Sequence, residues 1–148
     1  MKNKINFGFE KPEDNLGYLL WQTTMVWQKK MNRALAEVEL THTQFVIMAA
    51  LAWLSNKMKK VTQTDIAERS KTDRMMVSKI LRALEKRNLI NRIEHPDDTR
   101  AKCVVLTKSG IEILQNAFYI MGEANDQYFN ILKDKKRFGE DLKNLMDL

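Results

Sequence analysis

Arg74, Met75, Ser78, Lys79 and Arg82 are spaced in steps of one, three, one and three. At 3.6 residues per turn those steps keep the five side chains on one face of a helix. Val77, Ile80, Leu81 and Leu84 make the opposite, apolar stripe, with Met76 at its edge. The polar face suits a nucleic-acid groove. Arg74 and Lys79 carry donors for guanine acceptors or phosphates, Ser78 is short enough for close approach, and Met75 matches a thymine methyl. Arg82, a turn further along, suits a phosphate. Downstream, Arg100 falls near the tip of a predicted hairpin, where a guanidinium suits the negative potential of a minor groove. Asp98 is placed to hold Arg100 by a charge-assisted hydrogen bond. Each feature also has a plainer reading. Basic amphipathic helices are common solvated faces, and a surface Asp–Arg pair carries little energy.

The charge distribution favours the groove. The 148-residue chain has a net charge of +6. Between Lys57 and Lys108 stand 14 Lys and Arg against 7 Asp and Glu, whereas the rest of the chain carries 11 against 12. All of the excess positive charge therefore lies in one window, as a partner covered in phosphates would require.

The elements that must position these residues follow from capping and periodicity. A helix over about 14–38, capped by Asp14 or Asn15, keeps Leu16, Leu20, Trp27, Met31, Ala34, Leu35 and Val38 on one face, broadened by Leu19 and Val26. Thr41 and Gln44 form a capping box flanked by Leu40 and Phe45, and open a helix that is apolar nearly all round. Thr62 and Asp65 repeat the device for a short helix ending near Arg69 or Ser70. After a turn at Lys71–Asp73, the basic helix spans about 73–87. Strands are predicted over 91–95, with Ile93 inward and Arg92 and Glu94 outward, and over 101–106. In the second, Val104 and Leu106 face one way and Cys103 and Val105 the other. A turn at Pro96–Thr99 joins the strands. Thr107 caps a helix over about 109–132, a charged hinge follows at 133–136, and a short helix ends near Met146. The residues before Asp14, with Lys2, Lys4, Gly8 and Pro12, read as a loose arm. The expected fold is mainly α with a small β-wing: a winged helix-turn-helix. Apolar helices at both ends point to a second copy of the chain as partner.

Other chemistry is poorly represented. His42 and His95 are the only histidines, and neither has a Ser-His-Asp or Cys-His spacing. Five glycines supply no phosphate loop. No enzyme activity, metal or cofactor is expected. A lone thiol, Cys103, fits a reducing cytoplasm, and no apolar run is long enough to span a membrane. Trp21, Met25, Trp27, His42, Phe45 and Trp53 lie on helices that could line an apolar effector pocket, although such residues at helical spacing are also ordinary core. A winged-helix module that binds only protein is the competing reading. The charge window and the Arg-tipped wing count against it.

The chain resembles the MarR family of bacterial transcription regulators from about Leu16 onward. Asp98-Thr99-Arg100 followed by Leu106-Thr107 matches that family's wing signature. Leu40-Thr41 with Gln44-Phe45, and Val77-Ser78-Lys79 with Leu84 to Ile90, match at two further places. The resemblance implies one MarR-type domain over 1–148, with dimerisation helices at about 14–38 and 108–148 and a DNA-binding lobe at about 40–107. It implies an interlocked homodimer whose recognition helices enter successive major grooves of a pseudo-palindromic operator. Arg74, Met75, Ser78 and Lys79 fall on the recognition helix and Asp98 and Arg100 on the wing, while Thr62 and Gln63 open the preceding helix beside phosphate. It further implies a repressor in the bacterial cytoplasm, on the nucleoid, released by a small aromatic or lipophilic molecule. The family's peroxide-sensing branch carries a reactive cysteine in the first long helix. None occurs here between Asp14 and Val38, and Cys103 reads as a small packed wing residue.

Overall fold

A computed structural model of the chain describes residues 5–95 and 97–147. Lys2 and Lys4 of the expected arm and Pro96 of the expected turn lie outside the described residues. Six helices and one antiparallel hairpin follow in the order α1 (Leu16–Leu35), α2 (His42–Ser55), α3 (Gln63–Ser70), α4 (Arg74–Lys86), β1 (Ile90–His95), β2 (Asp98–Leu106), α5 (Lys108–Phe129) and α6 (Lys135–Leu145). Short 3-10 turns at Pro12–Asp14 and Ala36–Val38 flank α1.

The caps lie where local chemistry places them. Asn15, rather than Asp14, caps α1 by accepting from the Tyr18 amide. Thr41 and Gln44 close a reciprocal box at α2, and Thr62 and Asp65 close another at α3. Asp73 accepts from the amides of Met75 and Met76 at the start of α4. Each such cap satisfies amides that have no partner within the helix, typically contributing about 1 kcal/mol.

The core gathers around α2. Ile47, Met48 and Leu51 of α2 are fully buried with Ile66 of α3, Val77, Leu81 and Leu84 of α4, and Ile90 of β1. Met31 and Leu35 add the C-terminal end of α1, and Leu114, Ala117 and Met121 add one face of α5. The start of α5 is tied to the elbow between α4 and β1. Thr107 caps α5 through the Gly110 amide and donates its hydroxyl to the Asn88 carbonyl. Gly110 itself leaves no room for a side chain, because a Cβ there would stand 1.9 Å from the Leu89 carbonyl oxygen.

The wing departs from the alternation read in the sequence. Its register pairs Ile90 with Leu106, Arg92 with Val104 and Ile93 with Cys103, and shifts between Glu94 and His95. Ile93, expected inward, is half exposed. Arg92, expected outward, is drawn onto α4 by Glu85, with Nε and Nη2 at 3.0 and 2.9 Å from the same carboxylate oxygen. Arg92 thus shares its face of the hairpin with its buried cross-strand partner Val104, while Ile93 lies on the opposite face with Cys103. In β2, Cys103 and Val104 are both buried although they point to opposite faces. Here the strand is covered from two sides. Val104 donates to the Val61 carbonyl, Thr62 bridges to Cys103, and α2, α3 and α5 all touch β2.

Candidate nucleic-acid interface

The α3–turn–α4 unit is fixed by its turn as well as its core. Lys71 takes a left-handed conformation (φ 51°) that ends α3 and lets the chain reverse into Asp73. Val77, Ile80, Leu81 and Leu84 then anchor α4 on the core. The other face is left outward. Arg74, Met75, Lys79 and Arg82 are exposed, Met75 by 81%, and Ser78 is half-buried between them. An 81% exposed methionine is costly for a chain with no partner there, since about 1.5–3 kcal/mol is gained by burying such a side chain. Thr62 and Gln63, at the start of α3, are half-buried, and the Thr62 hydroxyl is committed to its capping box.

At the wing, Asp98 holds Arg100, though not as the sequence suggested. The Asp98 carboxylate accepts from the Arg100 backbone amide at 2.9 Å. The bond shapes the strand's start, and the guanidinium has no ion-pair partner among the described residues. An Asp two residues before an amide commonly closes such a local turn, and that competes with the longer reach to the guanidinium. Among the described residues the ion pairs are Lys60–Asp97 and Arg92–Glu85. Arg87 donates to the Glu39 carbonyl at 2.7 Å, bracing the end of α4 against the α1–α2 connection. Three members of the basic window, Lys60, Arg87 and Arg92, therefore hold the lobe together, while Arg74, Lys79, Arg82 and Arg100 remain outward. Sequence reasoning did not find this division. The partners lie 37, 48 and 7 residues apart, without a shared periodicity.

Three of the six aromatic, Met and His positions on the helices come together. The Trp27 and His42 rings meet edge-on at 4.7 Å, Phe45 follows at 6.4 Å from His42, and Phe118 of α5 completes the row at 5.1 Å from Phe45. Trp27 donates to Asn125 of α5 at 2.9 Å. His42 is buried, its Nδ1 has no hydrogen-bond partner among the described residues, and burial holds its pKa below the ordinary histidine value. The row joins α1, α2 and α5, where the end helices meet the lobe. Trp21 and Met25 lie further up α1, 62% and 37% exposed. Trp53 lies about three turns along α2 from His42, half exposed, with Lys57 and Arg69 over its ring at 4.7 and 5.2 Å.

Comparison with known proteins supports the same conclusion. A model described as MarR family matches residues 40–102, from the Leu40 staple to the wing. A relative from Bacillus subtilis (strain 168), YdcH, named as an uncharacterized HTH-type transcriptional regulator, is 37% identical over 93% of this chain and 94% of its own length. Two solved structures share the fold. An S. aureus MepR–DNA complex superposes with a TM-score of 0.78 at 24% identity, covering 93% of this chain and 98% of that one. CouR from Rhodococcus jostii RHA1, bound to p-coumaroyl-CoA, gives 0.77 at 21% identity over 93% and 95%. An outward basic helix on a closed core, an arginine-bearing wing and a relative matched over almost its whole length lead to one identification: the chain belongs to the MarR family and is a DNA-binding transcription regulator.

Proposed function

We propose that this regulator works as a homodimeric, sequence-specific repressor in the cytoplasm, without enzymatic activity, and leaves its operator when a small aromatic or lipophilic molecule binds. In this reading residues 40–107 form the DNA-binding lobe, and the helices on either side pair with those of a second copy. Arg74, Met75, Ser78 and Lys79 read base edges in the major groove, Arg82 and Gln63 meet phosphates while Thr62 fixes the start of α3 through its cap, and Arg100, set by Asp98, reaches the flanking minor groove. The observation that carries the reading is the outward face of α4, basic and bare, on a lobe where Lys60, Arg87 and Arg92 are the cations engaged by ion pairs or carbonyls among the described residues.

Pairing is supported by what one chain leaves uncovered. Leu16, Leu20 and Trp21 are 82%, 56% and 62% exposed, and no residue of α6 among those described is buried. Surfaces of that character in α-helical chains are commonly covered by a second copy. Among the described residues no helix is long and apolar enough to cross a membrane. For the effector, the Trp27–His42–Phe45 row marks the junction through which lobe and end helices would move relative to one another.

A titration of labelled duplex DNA across a salt series tests the DNA reading. Affinity should fall steeply with salt, with a slope set by the phosphates neutralised. Negligible binding, or binding indifferent to salt, would remove it.

A further inference from the structure

Among the described residues the chain has two ion pairs, and both fasten the wing. Arg92–Glu85 ties β1 to the last turn of α4. Lys60–Asp97 ties the wing tip to the segment between α2 and α3. That segment also grips the root of the hairpin. The Val61 carbonyl accepts from the Val104 amide at 2.8 Å, and Thr62 bridges to Cys103. Residues 60–62 therefore hold the hairpin at both ends, the root by backbone and the tip by one side chain.

The tip needs that tie, because the ladder breaks there. Glu94 pairs with Lys102, but His95, the next residue of β1, pairs with Asp98. Residues 99–101 of β2 have no partner across the hairpin in that register, and Arg100 stands in the middle of the excursion. Such a bulge bends its strand and re-aims the side chain it carries. Two bonds shape it locally. Asp98 accepts from the Arg100 amide at 2.9 Å, and the Asp97 amide donates to His95 Nδ1 at 3.2 Å. Both lie within the tip, so neither sets its angle to the lobe. Among the described residues, Lys60–Asp97 is the side-chain bond that joins the two. The Lys60 ammonium, by its hydrogen bond and its charge, holds the Asp97 carboxyl below the ordinary carboxylate value. We propose that Lys60 is a positioning residue for DNA recognition: by holding Asp97 it sets the angle of the wing tip, and so the entry of Arg100 into the flanking groove. This rests on the minor-groove reading of Arg100 given above, and adds to it the residue that aims the arginine. An ion pair this exposed is weak, so its loss costs at most about five-fold in DNA affinity per wing.

The probes are the duplex that the wild-type chain enriches from a random pool and the same duplex with its flanks scrambled. Lys60→Ala and Asp97→Ala should each weaken binding to the enriched duplex by up to the stated factor and shrink its advantage over the scrambled one. In an Arg100→Ala background neither change should matter further, because the side chain being aimed is gone. Lys60→Arg should keep most of the affinity. Exchanging the pair, Lys60→Asp with Asp97→Lys, should restore what either single change loses. In the free protein the Asp97 carboxyl should titrate at higher pH in Lys60→Ala than in the wild type, which checks the pair without DNA. Equal losses with and without Arg100, or tighter binding by Asp97→Ala, would make Lys60 a phosphate contact and overturn the proposal. An unmoved Asp97 titration, or an unaltered flank preference in Lys60→Ala, also overturns it. An Arg100→Ala variant that keeps its full flank preference would instead remove the minor-groove reading itself, and the proposal with it.

Discussion

The lobe and the end helices make opposite use of similar apolar residues. In the lobe, Ile47, Leu51, Ile66, Val77, Leu81 and Leu84 lose all or nearly all contact with solvent inside one chain. Along α1, Met31 and Leu35 do the same, yet Leu16 and Leu20 on the same stripe stay 82% and 56% exposed. α6 buries nothing among its described residues. A periodic stripe therefore establishes that a face is apolar, not what covers it. The lobe closes its core with its own elements, whereas the outer half of α1 and α6 present faces that fit a second chain.

Leu81→Ala attacks the closed side of this contrast. It should lower unfolding free energy by roughly 2–5 kcal/mol, equally at all protein concentrations, as followed by denaturant titration. Leu20→Ala should instead cost little in concentrated solution and progressively more on dilution. Equal behaviour of the two variants would erase the distinction. Arg100→Ala should leave the melting curve in place but weaken duplex binding by about 1–3 kcal/mol and relax preference in the flanking sequence. Unchanged affinity and preference would take the wing out of the groove. Acid should act at the junction between the two regions. His42 is buried neutral with a depressed pKa, so the unfolded chain binds its proton first. Stability from this site is full above the ordinary histidine value of about 6.5 and falls as pH drops toward the folded-state value. His42→Phe should flatten that limb of the stability profile, and an unaltered slope would assign it elsewhere. The smallest effect is expected from Arg82→Ala, which should weaken all sequences about equally and reduce the salt slope by about one. A loss confined to one operator would contradict a phosphate role.

What could be read from the sequence was what is settled within a few residues. Thr41–Gln44, Thr62–Asp65 and Thr107 announce helix starts because cap and amide stand three apart, and the structure has those bonds. The buried stripe of α4 follows from one period in one segment. The wing resisted the same treatment. Ile93 and Arg92 exchange their expected roles, and the arginine meets Glu85, a partner on another element that strand periodicity does not reveal. Asp98 turned to the Arg100 amide instead of its guanidinium, a choice between two bonds that residue types alone leave open. The meeting of α5 with the elbow before β1 was invisible as well, since it depends on Gly110 lying flush against the Leu89 carbonyl.

Selection of the chain's preferred duplex from a random pool tests the paired, outward-facing lobes most directly. The enriched sequences should carry a mirrored motif whose half-sites stand about one helical turn, roughly 34–36 Å, apart. A single unmirrored site, or a pool that emerges as random as it entered, would contradict them.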